Sequence, residues 1–275
     1  MLSKFLDPKN NFAFRKIFGY EKNKDILIHF LNDMITFKER SPIESLTFLK
    51  TNQDPEIAHY RNSSVDILCK DKNGNTYIVQ MKVAKEKGFE KRAQCYASKA
   101  YISQVRIGGE YQDLKEVIFL AISDFIIFPN KNEYKSDHVI LDRESHENDL
   151  KDFSFTFIEL PKFNKSEAEL SSNIDQWIYF IKNAENLEVI PDQIEDEGLK
   201  KAYLDAAKHN WTKLELDAYD YVLMREQDER GRMTFVLNKS KKEIAINFLK
   251  VGLSVEDTAQ GTGLPTDQVQ KLIST

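Results

Sequence analysis

The chain has 275 residues, 41% of them hydrophobic and 30% charged, with a formal net charge of −5. That length can bury a core in one or two domains, and the acidic balance excludes a uniformly basic nucleic-acid binder, so any DNA contact has to be local. Cys69 and Cys95 form neither a disulfide framework nor a metal-type Cys/His spacing, no apolar run reaches the roughly 18 residues of a membrane span, and MLSKFLDPKN lacks a signal-peptide core, which together point to a cytoplasmic chain without a membrane role.

In chain order, Asp25–Phe37 carries Ile26, Phe30, Leu31, Met34 and Phe37 at helical spacing, and Ile43–Leu49 reads as a strand. Val65–Val83 reads as a β-hairpin around Asn73-Gly74. Gly88–Gln104 is expected to be a helix with Phe89, Ala93, Ala97 and Ala100 on one stripe. Val117–Phe128 is a continuous apolar run of the buried-strand type, and the alternating Phe153–Leu160 adds an edge strand. From Ser166 onward helices are expected at Ile174–Ile181, Gly198–Lys208, Leu214–Gln227 and Lys239–Lys250, with Gly252 stopping the last. Ser254 and Asp257 open a further short helix that ends at Thr262-Gly263, and Pro265 fits the first turn of another. Helices this short need an apolar partner, either the preceding domain or a second copy of the chain.

The hairpin concentrates the chemistry. A two-residue loop would mix polar and apolar side chains on each face. A three-residue loop, Lys72-Asn73-Gly74 with Gly74 left-handed, sets Asp66 against Gln80 and leaves one apolar face, so it is preferred. Lys82 follows Gln80 by two and points the same way. A carboxylate, an amide and an amine gathered there suit a divalent-metal hydrolase, in which the Asp66 oxygens suit a hard cation such as Mg²⁺ and the Lys82 ammonium can orient water or balance phosphate charge. The plain alternative is a hairpin whose outer face happens to be polar. Residues 80–106 hold seven Lys/Arg and two Glu, and Lys85, Arg92, Lys99 and Arg106 recur every seven residues with Tyr96 beside them. Such a ridge can follow a phosphate backbone, or be a solvated helix face with Glu86 and Glu90 pairing locally. His29, His59, His138, His146 and His209 are scattered, and no phosphate-cradling loop or dinucleotide fingerprint points to a nucleotide cofactor.

Asp66 with Gln80-Met81-Lys82 resembles the D…(D/E/Q)-x-K signature of the PD-(D/E)XK nucleases. Leu6–Gly19 (LDPKNNFAFRKIFG), Phe89–Tyr96 (FEKRAQCY) with Tyr101, Gln104 and Gly108–Tyr111 after it, and Glu243–Leu253 followed by Thr262-Gly263-Leu264 resemble the Rpn group of recombination-promoting nucleases, the PD-(D/E)XK putative transposases. The resemblance implies an α/β fold with an αβββαβ restriction-endonuclease-like core followed by an α-helical C-terminal region. It also implies Mg²⁺ or Mn²⁺ as cofactor, with Asp66, Gln80 and Lys82 as catalytic residues and Asp66 and Gln80 as metal ligands. It implies DNA as partner, with Lys85, Arg92, Tyr96 and Lys99 of the ridge and Gln104 as contacts, and roles in recombination, DNA mobility or phage defence. Two positions depart from the group. Asn11 stands where an Asp is usual, and Gln80-x-Lys82 where Glu-x-Gln is usual, so the site carries less negative charge.

The expected organisation is a nuclease-like domain at 1–165, a helical region at 166–238 and a short-helix module resembling a helix-turn-helix at 239–275. The expected function is a metal-dependent DNA endonuclease weakened by Gln80 and Asn11, with a homodimer attractive by analogy to two-strand breakage. The alternatives are a catalytically silent DNA- or protein-binding descendant, or an interaction protein whose C-terminal helices carry the function.

Overall fold

The computed structural model describes residues 4–36, 41–49, 65–105 and 107–273. Phe37, Arg106 and His59, named above, lie outside these residues. Among the described residues are a mixed six-stranded sheet and eight α-helices, an α/β arrangement.

Asn10 opens the first helix, α1 (Asn11–Gly19), by accepting from the backbone N–H groups of Phe12 (2.9 Å) and Ala13 (3.2 Å). This satisfies donors that a helix start leaves without partners. α1 buries Ala13, Phe14, Ile17 and Phe18, the spacing of one helix face. α2 (Lys24–Met34) buries Ile26, Leu27, Phe30, Leu31 and Met34 beside it.

The sheet follows. β1 (Leu46–Phe48) pairs antiparallel with β2 (Ile67–Asp71), and β2 antiparallel with β3 (Thr76–Lys82). A crossover through α3 (Phe89–Ile102) makes β4 (Val117–Ser123) parallel to β3, and β6 (Phe153–Glu159) is parallel to β4, with β5 (Lys135–Val139) antiparallel on the outside. The order is β1-β2-β3-β4-β6-β5.

Two sequence expectations are corrected here. The Phe153 segment is an interior strand, because β5, with the polar run Lys135-Ser136-Asp137-His138, takes the edge instead. The apolar run from Val117 does not stay in the sheet to Phe128. It leaves after Ser123, where Asp124 N–H donates to Lys82 O (2.9 Å) and Ser123 Oγ donates to Phe125 O (2.8 Å). The N–H groups of Ile127 and Phe128 then donate to Glu159 Oε1, at 2.6 and 3.0 Å.

Each face of the sheet has its own core. Tyr77, Val79 and Met81 of β3 meet α1, α2, α4 (Asn173–Asn183) and α5 (Glu197–Ala206), with Trp177 and Phe180 at the centre. Ile78 of β3 and Phe119 of β4 meet the Phe89, Ala93, Ala97 and Ala100 stripe of α3, as the residue spacing predicts. α5 comes so close to α2 that a Cβ on Gly198 would lie 2.5 Å from His29 Cβ, which only glycine avoids.

α6 (Lys213–Lys250) runs unbroken where two helices were expected. Between Gln227 and Asn238 the poorest helix former is Gly231, and a single interior glycine costs only about 1 kcal/mol. The chain divides into two compact units, Met1–Tyr219 and Asp220–Thr275. In the second, α7 (Val255–Thr262) and α8 (Thr266–Ile273) close a small core of Ala245, Ala259, Leu264 and Val269. The apolar partner of these short helices is therefore the end of α6 itself. Ser254 caps α7 by accepting from Asp257 N–H (3.0 Å), and left-handed Gly263 (φ 64°) ends it. No helix among the described residues is long and apolar enough to cross a membrane.

Candidate active site

The site begins with the turn that sets the hairpin register. Asp71 Oδ1 accepts from the backbone N–H groups of Asn73 (2.8 Å) and Asn75 (2.9 Å), and Oδ2 accepts from Asn75 Nδ2 (2.9 Å) and Tyr77 OH (3.0 Å). Gly74 takes φ 90°, the left-handed conformation the three-residue loop requires. The ladder pairs Ile67 with Val79 and Lys70 with Thr76, as that loop predicts, and extending it by one pair sets Asp66 opposite Gln80.

At Asp66 the ladder ends on a side chain. Met81 N–H donates to Asp66 Oδ2 at 2.8 Å, while Val65 O accepts from Arg15 Nη2 at 3.4 Å. Arg15 Nε stands 3.4 Å from Asp66 Oδ1. The Asp66 side chain is only 7% exposed. Burial pushes its carboxyl up to about 6, against the opposing pull of Met81 N–H, Arg15 and Lys82.

Gln80 is 3% exposed, and its Oε1 accepts no hydrogen bond among the described residues. A buried acceptor left so costs roughly 1–3 kcal/mol and is rare enough to call for a reason. Strand alternation puts Gln80 and Lys82 on the face of Ile78, the α3 side. Lys82 Nζ lies 3.3 Å from Glu86 Oε2, and the same oxygen takes Arg92 Nη1 at 2.6 Å. Arg92 Nε donates to Tyr96 OH at 3.0 Å, and its guanidinium lies 5.2 Å from the Tyr96 ring centroid. Lys82 is thereby tied to the first turns of α3.

The ridge residues do not all reach this place. Lys85 is exposed in the β3–α3 connection and Lys99 is half-buried on α3. Gln104 holds the Lys115 backbone with both ends of its amide, at 2.9 and 3.0 Å. It therefore sits where β3 and β4 begin, roughly 20 Å along the seven-residue strands from Lys82. Arg15 and Glu86 contact the expected site residues without having been assigned a place in the site. Arg15 lies within the LDPKNNFAFRKIFG motif, but its meeting with Asp66 is made by α1 packing, which has no local signal in the sequence.

Asn11, the position of the other departure, is exposed in the first turn of α1. Among the described residues no three His, Cys, Asp or Glu side chains gather as a metal cluster. Asp66 and Gln80 nonetheless fit a hard divalent cation of low charge demand. Both offer oxygen, the Gln80 oxygen accepts no hydrogen bond among the described residues, and Mg²⁺ is commonly held by one or two carboxylates with water completing its shell.

A family model described as PD-(D/E)XK nuclease family transposase matches residues 8–234, a span that includes Arg15, Asp66, Gln80, Lys82 and all of α3. The chain belongs to that family. No curated protein and no solved structure matches it. Membership suggests a nuclease-like function, and the mixed α/β sheet is consistent with it.

Proposed function

We propose that this family member is a divalent-metal-dependent DNA endonuclease, with its ion held by Asp66 and Gln80. The supporting observation is a Gln80 Oε1 that accepts no hydrogen bond among the described residues, one residue past the last ladder pair, Ile67–Val79, as the buried Asp66 carboxylate is on the facing strand; a cation between them would satisfy both. A bound Mg²⁺ or Mn²⁺ would supply an acidified water and positive charge against the scissile phosphate.

The protein's own residues divide the remaining work. Met81 N–H holds one Asp66 oxygen and fixes the carboxylate at the strand end. The Lys82 ammonium, 30% exposed and steadied by Glu86, can orient the attacking water or offset charge on the phosphate. Lys85, Arg92, Tyr96 and Lys99 would carry neighbouring backbone phosphates, and loss of such contacts weakens DNA binding across sequences and flattens its salt dependence. The αβββαβ core over residues 1–165 would form the nuclease module. Within the expected helical region 166–238, the part up to Tyr219 packs on that core, so the remainder and the short-helix module 239–275 would serve DNA contact or dimerisation, in the cytoplasm.

The rival reading, a silent DNA-binding descendant, draws on the same site. Position 80 supplies no charge, and the Asp66 carboxylate already has a guanidinium beside it. Nicking of supercoiled plasmid in Mg²⁺ and in Mn²⁺, with Asp66→Asn alongside, separates the two. Metal-dependent nicking abolished by Asp66→Asn is expected; cleavage that is absent, or indifferent to Asp66→Asn, rejects the endonuclease.

A further inference from the structure

Arg15 stands beside Asp66 Oδ1, the carboxylate oxygen that Met81 does not hold. Oδ2 is committed to Met81 N–H, and two Arg15 contacts, to Oδ1 and to Val65 O, are each 3.4 Å, longer than the roughly 2.7–2.9 Å of a tight charge-assisted bond. The side chain is 41% exposed, so it can reach solvent, whereas its base cannot shift, because Phe14 and Lys16 on either side are buried. One residue past the last ladder pair, Gln80 Oε1 accepts no hydrogen bond among the described residues.

We propose that Arg15 is an exchangeable counter-ion: it neutralises Asp66 when no metal is bound, cedes Oδ1 to the divalent cation, and then turns its guanidinium to a DNA phosphate. The inference rests on the endonuclease reading and adds a positioning residue to it. A guanidinium and a divalent cation repel one another at a shared carboxylate oxygen, so one displaces the other. Once displaced, the planar fork of arginine matches a phosphate well, and Arg15 needs only side-chain rotation to present it.

Two titrations on the full-length protein test this. Mn²⁺ binding without DNA is measured by calorimetry for wild type and Arg15→Gln, with Arg15→Met as a second variant should the first not fold. DNA affinity is measured by fluorescence anisotropy in Ca²⁺, to avoid turnover, and in EDTA. Removing the guanidinium should tighten Mn²⁺ at least about tenfold. It should weaken DNA several-fold in Ca²⁺ while leaving affinity in EDTA unchanged. Unchanged Mn²⁺ affinity would make Arg15 a structural prop and overturn the exchange, as would tighter Mn²⁺ with no Ca²⁺-dependent change in DNA affinity. Absence of Mn²⁺ binding by wild type and variant alike overturns it too. Asp66-dependent nicking then judges the endonuclease reading independently.

Discussion

Lys16 and Asp66 are both buried charges, and the fold treats them in opposite ways. Lys16 Nζ lies 2.8 Å from Glu215 Oε1 and 4.0 Å from the Trp211 ring centroid. Glu215 also accepts from Thr212 N–H and Oγ1 at the start of α6, at 2.8 and 3.0 Å. The Lys16 bond, with help from Thr212, holds the Glu215 carboxyl down to about 2. Asp66 has one short bond, a 3.4 Å ion pair and an unsatisfied amide opposite, and its carboxyl is driven up to about 6. The first arrangement satisfies its charges and stabilises the fold. The second leaves a charge poorly compensated, a feature concentrated at functional sites.

The contrast can be broken most forcefully at Lys16. Lys16→Met should cost about 3 kcal/mol at pH 7 in chemical denaturation, since removing one partner of a buried pair strands the other and Glu215 is 27% exposed. The Glu215 carboxyl is lowered from 4.5, so this stability is present above about pH 4.5 and is lost as pH falls toward 2. The gap between wild type and variant should close over that window. A gap below about 1 kcal/mol at pH 7 would remove the satisfied half of the comparison.

Asp66→Asn should act with the opposite sign. The folded-state carboxyl lies near 6 and the ordinary value is 3.8, so the folded protein holds the proton more tightly. Ionising Asp66 therefore lowers wild-type stability as pH rises from about 4 through 6. Without metal, the variant should be the more stable at pH 7.5 by as much as about 3 kcal/mol, and equal to wild type near pH 4. A variant less stable than wild type at pH 7.5 would show Asp66 to be a structural strand cap.

Gln80→Glu sharpens the comparison at smaller amplitude. It adds charge where an acceptor is unsatisfied, so Mn²⁺ affinity should rise roughly tenfold, about 1.4 kcal/mol. Calorimetry would detect this, and an unchanged affinity would place Gln80 outside the cation's reach.

How much of this could be read from sequence depended on the range of the contact. The hairpin register was legible because Asn73-Gly74 and the alternation of Val65–Val83 specify it locally, and the α3 stripe because Phe89, Ala93, Ala97 and Ala100 recur at helical spacing. β5 was not, since Lys135-Ser136-Asp137-His138 on an outer edge carries no apolar pattern. The continuity of α6 was hidden for a related reason, as Asp228–Ser240 is exposed throughout and packing imposes no periodicity there. Lys16 reads as a surface residue until Glu215 and Trp211 are brought to it from the far end of the first unit. Arg15 meets Asp66 only through the packing of α1 beside β2 and β3, so the candidate site was legible in Asp66, Gln80 and Lys82 but not in what surrounds them.

Titration of the metal-free protein with Mn²⁺, followed by the loss of the free-ion electron paramagnetic resonance signal, tests the cation site most directly when wild type and Asp66→Asn are compared. One bound ion per chain in the wild type, absent or at least about tenfold weaker in the variant, is the expected result. Equal stoichiometry and affinity in the two proteins would contradict a cation site at Asp66 and Gln80.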